Sequence, residues 1–348
     1  MSVKKIFLLG ALLLTFWLTL ASWQTKVVPE KLSDYGFFIG DISRQHPAPG
    51  VVPYTLNTPL FSDYAEKLRF IKLPSRKSVI YNDTAVLNFP VGTTLIKTFY
   101  YPNDFRNQSK GRRLLETRLL THESEGWKAL VYVWNTEQDD ALLEVAGENK
   151  AVQYVDDQGN TRQQNYLIPN LNQCSGCHNR KEVMVPIGPS VRQLNGNFIY
   201  KGSPASENQL LYWQRTGMLT GMPALADCPK APVWNKPETG SLNDRARTWL
   251  DINCAHCHNP DGPAMTSGLN LSYSEKNPTA LGILKSPVAA GRGSGGRAFD
   301  IVPGKPEQSI LIYRLHSTDP GAMMPELGRK VVHTESLDLL KAWIKAMQ

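Results

Sequence analysis

A chain of 348 residues, 41% of them hydrophobic and with a mean hydropathy of −0.31, has ordinary globular composition and the length of about two domains. Its formal charge of +7 comes without any Lys/Arg run of the kind that tracks phosphates, so no nucleic-acid partner is expected.

Lys4 and Lys5 precede an apolar run from Ile6 to Leu20, and the small residues Ala21 and Ser22 follow it. Basic start, apolar centre and small-residue exit are the order of a secretory signal, predicted over 1–22, which places the mature chain in the periplasm. The alternative is an uncleaved anchor, because Ile6 to Trp23 approaches the length of a bilayer span; membrane contact is expected through that segment or not at all. Removal of Lys4 and Lys5 lowers the formal charge to +5.

Between Thr25 and Pro53, turn formers such as Pro29, Gly36, Gly40 and Pro47 predict irregular chain. Short β-favouring runs then follow: Leu68–Leu73, Thr93–Tyr101, Leu114–Thr121, Trp127–Trp134, Ala141–Val145 and Ala151–Val155, separated by turn-forming clusters. Runs of this length and spacing predict an antiparallel, sandwich-like β-rich domain over 50–165.

The five cysteines then carry the chemistry. Four of them form Cys174-x-x-Cys177-His178 and Cys254-x-x-Cys257-His258. Two thiols three positions apart can each join one vinyl group on the same edge of a haem, and the adjacent imidazole is then placed to bind its iron. A thioredoxin-like pair would not need the following His, and a zinc ribbon would not hold its pairs 80 positions apart. Cys174, Cys177, Cys254 and Cys257 are therefore expected to attach two haem c groups, with His178 and His258 as iron ligands. Cys228 remains a free thiol expected in the core.

The first haem segment is expected over 166–235 and shows no helical stripe before its motif. Its second iron ligand is open among Met184, Met218, Met222, a distant histidine (His46, His122, His316 or His333) and no protein ligand. Met222 is preferred because Met222-Pro223 echoes Met324-Pro325. A cytochrome c-like domain is expected over 241–348. Ser241 and Asp244 form a capping box, and Leu242, Ala246, Trp249 and Leu250 make one helical face leading to the second motif. Asp261 reads as a turn residue and Gly291 to Gly296 as linker. Met324, with Met323 as its rival, is the expected second ligand of the later haem. A closing helix carries Leu337, Leu340, Ile344 and Met347, with Thr334 as its cap.

At Leu32–Phe38, Pro59–Ala65, Phe89–Phe99, Glu116–Leu120, Tyr132–Asn135, both Cys-x-x-Cys-His motifs, Asn253–Gly262 and Met324–Gly328, the sequence resembles an uncharacterised family of bacterial dihaem c-type cytochromes. Its C-terminal part is similar to mono-haem cytochrome c domains. The resemblance spans nearly all of the mature chain, implies haem attachment and ligation by Met324, and implies no substrate.

The expected fold class is α+β, a β-rich N-terminal part followed by helical haem domains. The expected function is electron transfer to or from a periplasmic redox partner protein. The alternative is a peroxidase-like dihaem enzyme in which one haem stays open to substrate.

Overall fold

Five of the six β-favouring runs, joined by a strand that begins at Val51 in the stretch expected to be irregular, form one six-stranded antiparallel sheet in the computed structural model, which describes residues 27–203, 205–288 and 290–348. The signal expected over 1–22 lies outside the described residues. The strands, with a short extra one, are β1 (Val51–Tyr54), β2 (Glu66–Lys72), β3 (Val79–Ile80), β4 (Thr94–Pro102), β5 (Arg112–Glu123), β6 (Gly126–Trp134) and β7 (Ala141–Glu144). The large sheet runs β1-β2-β4-β5-β6-β7. β8 (Glu148–Val155) and β9 (Thr161–Ile168) form a separate hairpin closed by the Asp156–Asn160 turn.

Side chains alternate between the two faces of a strand, and here both faces are covered. On the back, the irregular segment after Lys31 packs down through Phe38 on Phe70, rings 5.1 Å apart. The same face holds a polar chain in which Thr98 donates to Gln45 and Trp134 donates to Thr117. On the front, the hairpin packs through Val152, Tyr154 and Tyr166 against Phe99, Tyr101, Leu115 and Val131. A hairpin therefore provides the second β layer over part of the sheet. The strand β9 runs three residues past position 165.

The later elements are α1 (Leu171–Cys177), α2 (Val191–Leu194), α3 (Gln209–Arg215), α4 (Leu242–Asn253), α5 (Ile310–His316) and α6 (Thr334–Lys345). α2 and α3 join one end of the sheet through Val191, Leu194, Leu210 and Trp213 against Ile71, Leu95 and Leu120, with Cys228 buried in the same core. α4 and α6 bury Trp249, Leu250, Leu337, Leu340, Trp343 and Ile344 together with Ile312 and Leu315 of α5. The Ser241 hydroxyl caps α4 by accepting from the Asp244 amide at 3.1 Å and donating to its carboxylate. α6 begins at the expected cap itself: Thr334 is its first residue and His333, one residue earlier, its N-cap, without a side-chain capping bond. The chain is thus α+β, β-rich in its N-terminal part and with few helices.

Three partly buried hydrogen bonds tie the halves together. The Phe61 amide donates to Asn253 at the end of α4, and Asp63 accepts from the amides of Lys330 and Val331 at 2.7 and 3.0 Å. Residues 31–348 form one compact unit. Among the described residues no helix is long and apolar enough to cross a membrane.

Candidate functional site

The first motif rides on α1, where Asn170 and Gln173 make a complete capping box, each side chain accepting from the other residue's amide. One helical turn puts Cys174 and Cys177 on the same side, and His178 ends the helix with its amide bonded to the Cys174 carbonyl. The ring nitrogen Nδ1 of His178 lies 2.8 Å from the Val185 carbonyl. A carbonyl only accepts, so Nδ1 carries the proton and Nε2 is the free donor atom. Burial, then the nearby Lys97 ammonium, pushes the His178 pKa down to about 3, which keeps the imidazole neutral, the form that ligates metal.

The second motif follows α4 in the same way. His258 directs Nδ1 at the Ser267 hydroxyl, 3.1 Å away, while that hydroxyl donates onward to the Ala264 carbonyl. Burial, then Arg314, lowers the His258 pKa to about 4. The turn after the motif leaves no space for a side chain at Gly262, where a Cβ would meet the Cys257 carbonyl. Met324 lines the same cavity as His258, whereas the buried Met323 does not. Arg329 holds the Met324 carbonyl and Arg314 accepts its amide on the main chain, so this segment is fixed at both ends.

Each motif opens on a cavity, about 150 Å3 at the first and about 460 Å3 at the second. The two cavities share Cys177, Asn253, His256, Leu315, Pro325 and Leu327 as a common wall. The thiols of Cys177 and Cys257 come within hydrogen-bonding reach, which lowers the Cys177 pKa and raises that of Cys257; all five cysteines are free. Asp261 is the turn residue expected, and it also clasps the two motifs. It pairs with Arg180 at 3.3 Å and Lys181 at 3.0 Å, and its carbonyl accepts from the Lys181 amide.

The expected Met222 is not among the residues lining the first cavity. It packs instead on the α2–α3 core beside Met218, because the short parallel pairing of Leu219–Thr220 with β3 carries this stretch to the sheet end. Met184 packs on the same core. Of the four distant histidines, His333 alone lines the first cavity. Its ring stacks on Phe61 at 4.1 Å, its Nδ1 is buried without a partner, and burial pushes its pKa down to about 3. His122 is instead spent on the Phe89 carbonyl and Trp127. Among the described residues no group of three or more His, Cys, Asp and Glu converges on a metal ion.

The donor set fits covalently held haem: paired thiols on one helical turn, neutral imidazoles with Nδ1 already engaged, and a cavity beside each. Residues 254–327, about a fifth of the chain, match the family described as Planctomycete cytochrome C. No curated protein and no solved structure matches the chain. The C-terminal region is therefore similar to cytochrome c, which brings with it haem c, iron and an electron-transfer role.

Proposed function

We propose that this protein is an exported, periplasmic dihaem cytochrome c that passes electrons between a redox partner protein and two adjacent haems. The carrying observation is the common wall, for two cofactors placed in these cavities face each other across Cys177, His256 and Leu327. Haem iron supplies reversible one-electron exchange. The chain supplies the rest. Cys174 and Cys177 fix one haem, Cys254 and Cys257 the other. The Val185 carbonyl and the Ser267 hydroxyl orient His178 and His258. His258 and Met324 serve the second iron, and His178 and His333 the first, in place of Met222. A histidine in the first cavity favours the carrier over a peroxidase-like enzyme, because it closes the position a substrate would need.

Mass measurement of the denatured chain should find two haems, and Cys174→Ala with Cys177→Ala should leave one. Retention of two in that variant overturns the assignment.

A further inference from the structure

The front of the large sheet carries an unusual row. Arg69 on β2 stands directly opposite Lys97 on β4, and Lys97 directly opposite Arg118 on β5. All three line the first cavity. One position along, Lys67 and Arg118 join Lys97 around the Phe99 ring, with Arg118 closest at 4.3 Å. Like charges placed opposite each other across strands repel, and each of these cations is wholly or partly withdrawn from water.

One buried carboxylate answers them. Glu116 takes both arms of Arg118 at 2.8 and 2.5 Å and a bond from Tyr166, and is fully used by them. Lys67 donates to the Leu60 carbonyl. Arg69 is a buried residue, and among the described residues neither its side chain nor the Lys97 ammonium has a hydrogen-bonding or ion-pair partner. Burial, then Arg118 and Arg69, pushes the Lys97 pKa down to about 7, as expected of an ammonium lacking its counter-charge. Such an excess of buried positive charge is costly without an anion beside it.

We propose that the Arg69–Lys97–Arg118 row is a carboxylate site, filled by the propionates of the first haem. This rests on reading Cys174–His178 as a haem attachment. The β-sheet is then the platform of that haem, matching its two negative groups to Arg69 and Lys97, while Arg118 is held by Glu116.

The test uses the full-length holoprotein and the near-isosteric Arg69→Met and Lys97→Met. Both should lower the first haem's midpoint potential in a two-component potentiometric titration, since a cation near iron favours the reduced state. Both should also shift the propionate bending modes in resonance Raman spectra. Thermal stability gives a sign reversal. Lys97→Met should lower the unfolding temperature of the holoprotein, but raise it in the Cys174→Ala, Cys177→Ala background, where the cation has no anion to meet. Unchanged potentials and Raman modes, or a rise in both backgrounds, overturns the proposal. A saturable shift of the Soret band on adding formate to the wild type, lost in Lys97→Met, overturns propionate as the occupant and assigns the site to a diffusing carboxylate. A wild-type chain that carries no haem at Cys174 and Cys177 by peptide mass fails at the underlying reading instead.

Discussion

Glu116→Gln should be the most costly single-atom change on the sheet. The carboxylate is fully buried and accepts three bonds, two from the Arg118 guanidinium and one from the Tyr166 hydroxyl at 2.7 Å. Glutamine keeps the shape but withdraws the charge, so Arg118 loses the carboxylate that holds it beside Lys97. Breaking one side of a buried ion pair costs about 3–5 kcal/mol, and the lower end applies because the Arg118 side chain is 25% exposed. With a urea m-value near 3 kcal/mol/M, about 3 kcal/mol lowers the midpoint by about 1 M. The assay is urea unfolding of the holoprotein followed by far-ultraviolet circular dichroism. The control is Glu207→Gln, whose partner Arg215 is 63% exposed and whose loss should leave the midpoint in place. Adding Arg118→Met to Glu116→Gln should recover most of the loss, because the stranded charge is removed with its partner. If Glu116→Gln moves the midpoint no further than Glu207→Gln, the pair is not desolvated and the account of the cavity charge is wrong.

Two further predictions concern the iron ligands. Met324→Ala should abolish the weak red charge-transfer band of methionine-bound ferric haem and admit carbon monoxide to the second ferrous haem, while Met323→Ala should preserve both properties; reversal of the two would move the ligand by one residue. His333→Ala should make the first ferrous haem bind carbon monoxide rapidly, while Met222→Ala should not, and the opposite pair of results would restore Met222 as the ligand.

What was legible in the sequence was whatever depends on neighbours along the chain. The Ser241–Asp244 capping box specifies α4 through bonds four residues long, and the six β-favouring runs fall within strands β2, β4, β5, β6, β7 and β8 to a residue or so at most ends. The polar run Thr161–Asn165 hid β9, because that strand is half exposed and takes its place from pairing with β8. The helix carrying the first motif was missed through attention to apolar periodicity. Its signal lay in Asn170 and Gln173, a capping box with amides in place of Ser and Glu. The structure places Met222 on the α2–α3 core and not on the first cavity. A Met-Pro step says nothing about which cavity it reaches, and His333 comes to the first cavity by contacts with Phe61 across 272 positions. The Arg69–Lys97–Arg118 row was equally invisible, since it exists only once β2, β4 and β5 are in register.

If each cavity holds a haem, as proposed, their common wall couples the loading of one to the other. Leu315, Pro325 and Leu327 come from the last third of the chain, yet they line the first cavity beside Cys174, while Cys177 lines the second beside Cys254. A half-loaded chain would keep a void against the wall its single haem rests on, and the cost of that void would fall on both sites. Full occupancy removes it once for both. On that proposal maturation would be cooperative without any contact between the two tetrapyrroles, and a chain carrying only one would be less stable through its own packing.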